Sequence, residues 1–120
     1  MKQKKVRIAT IPLSLRGKKR YILFRVFSPS PIEKSLVEKS FYSHLVHSFG
    51  ILGFPTFRYR FISYNAQNGI GIFRCSHIGK DALIASLLFL TIIHNDSVEV
   101  HALQTSGTLH TLKPRLNQSP

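Results

Sequence analysis

Five carboxylates are available for acid–base chemistry: Glu33, Glu38, Asp81, Asp96 and Glu99. A general acid and its base must meet across a substrate, and no two of these acids have a spacing that suggests it. Glu33 and Asp81 fall where helix starts are expected and Asp96 falls in a turn, so each has a structural role instead. His44 and His47 stand three residues apart and would share a helix face, as half of a metal site could. No carboxylate or cysteine neighbours them in sequence, so a pair of solvent-facing histidines is the simpler expectation. Cys75 is the only cysteine, which excludes a disulfide framework and a cysteine-based zinc site and suits a reducing compartment. Protein-borne catalysis, a metal and a cofactor are all expected to be absent.

The basic residues are the stronger signal. Lys and Arg number 17 against 5 acids, leaving a net charge of +12 in 120 residues. A compact domain so charged repels itself, and a polyanionic partner relieves that. Lys2, Lys4, Lys5, Arg7, Arg16, Lys18, Lys19 and Arg20 all precede the first acid, Glu33. Residues 1–17 are therefore expected to form a basic arm, either an RNA- or DNA-binding tail that orders on contact or a solubilising terminus. The candidate phosphate contacts are Lys4, Lys5, Arg16, Lys18, Lys19 and Arg20, joined by Arg74, Lys113 and Arg115. Ser106, Gly107 and Thr108 lie where a strand passes into a helix, and free backbone N–H groups there could hold a phosphate. The alternative is an ordinary capped turn.

Elements must position these groups. Tyr21–Phe27 is dense in β-branched and aromatic residues and reads as a strand. Ser30-Pro31-Ile32-Glu33 predicts a helix start, with Ser30 as cap, Pro31 in the first turn and Glu33 completing a capping box. Leu36, Val37, Phe41, Leu45 and Phe49 then recur at helical spacing, and Gly50 offers a stop. Phe54–Tyr64 alternates, with Phe57, Tyr59 and Phe61 on one face and Arg58, Arg60 and Ile62 on the other, as a half-buried strand does. Asn68-Gly69 signals a hairpin into a strand over Ile70–Cys75. Ser76 is expected to open a second helix running to about His94. Asn95-Asp96 turns the chain into a fourth strand carrying Val98, Val100 and Ala102, and a short helix follows.

The order β-α-β-β-α-β predicts an α+β fold: a ferredoxin-like, RRM-like two-layer sandwich with both helices on one sheet face, a short C-terminal helix and a basic N-terminal arm. The domain is expected over 18–116, with a polar tail at 117–120. Hydrophobic residues make up 43%, enough for a core. The longest apolar stretch, Ala82–Ile93, is too short to span a bilayer, so no membrane partner is expected. As a helix it has almost no polar face, so Leu83, Leu87 and Leu90 are expected at a protein-partner interface, unless the C-terminal segment covers them. RNA-recognition modules stack bases on aromatics of their central strands, but Ile70 and Ile72 hold those places here, so phosphate contacts fit better.

The set Lys18-Lys19-Arg20-Tyr21-Ile22, Gly69-Ile70-Gly71-Ile72-Phe73-Arg74-Cys75, Leu90-Thr91-Ile92-Ile93 and Ser106-Gly107-Thr108, in that order, resembles the ribonuclease P protein component 2 family over roughly residues 16–116. The resemblance implies a non-catalytic subunit of ribonuclease P, whose RNA holds the active site and its Mg2+ ions and removes the 5′ leader from precursor tRNA. It also implies ribonuclease P RNA, protein component 3 and other subunits as partners, with self-association in a heterotetramer. The expected location is cytoplasmic, or nuclear and nucleolar in a eukaryote. Two other readings stay open: another basic RRM-like RNA-binding protein of ribosomes or tRNA processing, and a protein-interaction module built on the apolar second helix.

Overall fold

The computed structural model describes residues 18–117. The expected arm, with Lys4, Lys5 and Arg16, lies outside the described residues, as do the last three positions of the expected tail. Four long strands form one antiparallel sheet: β1 (Lys19–Phe27), β2 (Arg60–Asn65), β3 (Ile70–Ser76) and β6 (Glu99–Ser106), in the order β2-β3-β1-β6. Two helices, α1 (Lys34–Gly53) and α2 (Lys80–Leu87), connect them, and β4 (Ile92–Ile93) with β5 (Asp96–Ser97) makes a small separate hairpin. A third, four-residue helix, α3 (Leu109–Leu112), runs into a 3-10 turn over Lys113–Asn117.

Alternation along β1 divides its side chains between two cores. Ile22, Phe24 and Val26 face α1 and α2, where they join Val37, Phe41, Leu45, Phe73, Leu83 and Leu87. Phe24 is the hub, with ring centroids 4.9 Å from Phe41 and 5.9 Å from both Phe61 and Phe73. Gly71 leaves the room: a Cβ there would stand 2.5 Å from the Phe24 ring. Leu23 faces the other way, with Ile70 and Ile72, and α3 covers them through Leu112. The fold is therefore covered on both faces rather than two-layered. The covered face is the one on which an RNA-recognition module would stack bases.

Several boundaries differ from the sequence expectation, each for a physical reason. The capping box at Ser30 does not form. Ile32 is buried in the core, so the chain stays extended through Glu33 (φ −60°, ψ 148°), and α1 begins only at Lys34. Gly50 does break α1: at φ 79° and ψ 168° it occupies backbone space that essentially only glycine enters, before a last turn to Gly53. Phe54–Phe57 is a 3-10 turn and Arg58 is left-handed at φ 53°, so β2 starts at Arg60 and not at Phe54. The Asn68-Gly69 turn forms as expected, with Gly69 at φ 75°. Ser76 ends β3, and its hydroxyl accepts the Gly79 N–H at 3.2 Å, so α2 opens four residues later.

The second helix is also shorter than expected. After Leu87 the backbone tightens, with Leu88, Phe89 and Leu90 N–H groups bonding three residues back. The β-branched Thr91-Ile92-Ile93 then turn extended into the β4–β5 hairpin. This lets Leu90 and Ile93 reach the core while Leu88, Phe89 and Ile92 stay exposed. Leu83, Leu87 and Leu90, expected at a partner interface, are core residues at 0%, 2% and 8% exposure, and cannot serve as one. The C-terminal segment does not cover this apolar cluster either; it lies on the opposite sheet face.

Candidate nucleic-acid interface

Sheet register decides which basic side chains meet. Tyr21 pairs with Arg74 on one side and Ser106 on the other, and Arg74 pairs in turn with Arg60. Directly opposed residues share a face, so Arg60, Arg74, Tyr21 and Ser106 form one row across four strands. The next registers place Arg20 opposite Cys75 and Lys19 opposite Ser76. Lys18 is tied in by its carbonyl, which accepts the His77 N–H at 3.0 Å. Lys80 opens α2 at the same end. The sheet thus gathers Lys18, Lys19, Arg20, Arg60, Arg74 and Lys80 at the start of β1 and β2 and the end of β3.

Few acids oppose them. Lys80 stands 3.6 Å from the exposed Asp81 carboxylate. The other short contact to a carboxylate from a basic side chain among the described residues joins His101 to Glu99 by a hydrogen bond of 3.0 Å, at the opposite end of the sheet. Lys18, Lys19, Arg20, Arg60 and Arg74 thus have no carboxylate within ion-pair distance among the described residues. Burial pushes the Cys75 thiol up to about 12, although the Lys80 and Arg20 charges pull it down. Those two cations therefore also flank the sheet end on its helical side.

The turn Ser106-Gly107-Thr108 comes to the same end. The Arg20 guanidinium lies 3.8 Å from where a Cβ on Gly107 would stand, and Nη1 donates to the Lys19 carbonyl at 3.0 Å. The Ser106 hydroxyl accepts the Thr108 N–H at 3.2 Å, so this donor is already engaged within the turn. Arg115 lies elsewhere: it donates to the Gln104 side chain and helps strap the C-terminal segment to the sheet. Asn65 and Asn68 hold the same segment through the Leu116 carbonyl, at 3.1 and 2.8 Å. Lys113 is exposed on that segment. The sequence reading missed Arg60 and Lys80; their places depend on a hairpin bulge and on the true start of α2.

His44 Nε2 donates to the Ser86 carbonyl at 2.7 Å, joining α1 to α2, and His47 is exposed. No group of three or more possible ligands for a metal ion occurs among the described residues. No helix among them is long and apolar enough to cross a membrane.

Residues 20–117 match the model of the Rpp14/Pop5 family. Curated relatives include ribonuclease P protein component 2 of Pyrococcus furiosus, 30% identical over 87% of this chain and 87% of that protein. The corresponding protein of Methanosarcina mazei is 34% identical over 80% of this chain and 81% of its own length. Among solved structures, a chain in the cryo-EM structure of yeast ribonuclease MRP superposes with a TM-score of 0.59 at 18% identity, covering 77% of this chain and 76% of that one. That last likeness concerns the fold alone.

Proposed function

The chain belongs to the Rpp14/Pop5 family as a ribonuclease P protein subunit, and we propose that it is a non-catalytic one that grips RNA phosphates at the cationic end of its sheet. The RNA would carry the active site and its Mg2+ ions and would remove the 5′ leader from precursor tRNA. The protein would lower the phosphate repulsion that opposes folding of that RNA. One observation carries this reading: five cations without carboxylate partners converge from three strands at one end of a rigid sheet. Such an array has lost its internal counter-charges and is complementary to closely spaced phosphates. The strand order is also that of a ferredoxin-like sheet, which supports kinship with RNA-recognition modules. Base stacking on the sheet is not part of the proposal, because α3 lies on that face.

Exposed Leu88, Phe89 and Ile92 support contact with a protein partner, for which component 3 or a second copy of this chain is the proposed occupant. A cytoplasmic location, or a nuclear and nucleolar one, goes with that role. The test is RNA affinity across a salt series, using the full chain and ribonuclease P RNA. Removing charge at Lys18, Lys19, Arg20 or Arg74 is expected to reduce the log–log salt slope by about one for each cation removed. Reconstituted precursor-tRNA cleavage should fall with it. An unchanged slope in all four variants would take this end of the sheet out of the interface.

A further inference from the structure

Arg58 is the residue whose backbone suits it least. It follows the 3-10 turn over Phe54–Phe57 at φ 53° and ψ 42°, and its N–H closes that turn on the Pro55 carbonyl at 3.2 Å. Left-handed backbone crowds a Cβ, so glycine or asparagine is the ordinary occupant after such a turn. Among the described residues only His94 shares a positive φ without being glycine, and histidine is one of the residue types enriched in that region. The strain at Arg58 cannot relax, because both neighbours are anchored. The Phe57 ring lies against Gly79, where no Cβ would fit, and at right angles to Phe49 with ring centroids 4.8 Å apart. The Tyr59 ring stands 5.6 Å from both Phe54 and Phe73. The Arg58 side chain takes no part in this packing. It is exposed, and it makes no hydrogen bond or ion pair among the described residues. Nothing inside the fold therefore accounts for a long cationic side chain at this position. Gly79 immediately precedes Lys80, and Arg60 opens β2 two residues on. Arg58 thus stands at the cationic end of the sheet, on the side of Arg60 and Lys80.

We propose that Arg58 is a further phosphate contact for the bound RNA, kept in a strained backbone conformation because its side chain is needed there. Strain that the surrounding packing over-determines is characteristic of binding positions. A backbone clamped between two anchored aromatic rings presents the guanidinium without ordering a loop on binding, and its fork can hold two oxygens of one phosphodiester. The inference rests on the RNA-binding reading above. The contact surface then extends from the sheet end onto the turn between α1 and β2, and stability and RNA affinity oppose each other at one residue.

The experiment compares Arg58→Asn with Arg58→Gln in the full chain. Both remove the charge and so relieve self-repulsion equally, but asparagine accepts left-handed backbone far more readily than glutamine. Arg58→Asn should melt a few degrees above Arg58→Gln. Both should bind ribonuclease P RNA more weakly than the unsubstituted chain, by about five- to tenfold at roughly 0.1 M salt, with the log–log salt slope reduced by about one. Arg58→Lys should keep that slope, since it keeps the charge. The inference is overturned if Arg58→Asn melts no higher than Arg58→Gln, if both variants retain the affinity and slope of the unsubstituted chain, or if Arg58→Lys loses as much slope as Arg58→Gln. Arg74→Gln, measured alongside, separates the contact from the reading on which it rests. A lower slope for Arg74→Gln with unchanged Arg58 variants rejects the Arg58 contact alone. Failure of the chain to bind the RNA above nonspecific affinity rejects the RNA reading, and the Arg58 contact with it.

Discussion

Cys75 and Tyr59 show how single residues tie this fold to pH. Both are held in protonated form by burial: the Cys75 thiol is pushed from 9.0 up to about 12, and the Tyr59 phenol well above its usual 10.0. In the unfolded chain both would ionise at their ordinary values. Below about pH 8 neither state loses these protons to any extent and their contribution to stability is whole. As pH rises toward 12 the unfolded chain releases them first, so it binds fewer protons and stability falls. Urea unfolding between pH 8 and 11 should therefore show declining stability. The double variant Tyr59→Phe, Cys75→Ala should decline less over the same interval. Equal declines would mean that lysine titration, not these two groups, sets the alkaline limit. The same shift leaves Cys75 without appreciable thiolate at neutral pH, so it is no nucleophile, in keeping with its 1% exposure.

The elements divide into those legible from the sequence and those set by packing. β1, the Asn68-Gly69 hairpin, β3 and the break at Gly50 follow from local chemistry that tertiary structure leaves intact. The starts of α1 and β2 and the end of α2 do not: burial of Ile32, Leu90 and Ile93 redirects the backbone at the two helices, and the 3-10 turn over Phe54–Phe57 with left-handed Arg58 delays β2. The site divides in the same way. Lys18, Lys19, Arg20 and Arg74 are legible as a basic group flanking two strands. Arg60 is not: counting back from the hairpin without interruption sets Phe61 opposite Arg74. A register shift between Phe61 and Ser63 brings Arg60 there instead. The exposed apolar residues Leu88, Phe89 and Ile92 also escape a reading of the sequence, since the apolar run reads as a continuous helix where the chain in fact turns at Leu88. Gly50 tests the element scale directly. Its φ of 79° and ψ of 168° suit glycine, and no atom would crowd an added Cβ, so the effect of Gly50→Ala is backbone strain alone. Such strain costs about 1–3 kcal/mol. Chemical denaturation should show that loss, and a neutral result would mean that the last turn of α1 rearranges freely.

Charge governs the molecule as a whole. With +12 net charge and a single Lys–carboxylate ion pair among the described residues, Lys80–Asp81, the folded chain is self-repelling. Salt screens repulsion between exposed charges beyond about 8 Å at physiological ionic strength, so added salt should stabilise the free protein. The complex with RNA should respond in the opposite sense, because its affinity comes from releasing counterions that high salt returns to the RNA. Each phosphate neutralised contributes a log–log slope of about −0.7 to −0.9. Five aligned cations therefore give a steep loss of affinity between low and moderate salt. Thermal unfolding of the chain alone and with ribonuclease P RNA, over one salt series, reads both effects. The free-protein midpoint should rise while the increment conferred by RNA shrinks toward zero. If salt lowered the free-protein midpoint, self-repulsion would not be the dominant charge effect. If the RNA increment persisted at high salt, contacts other than phosphate would carry the binding.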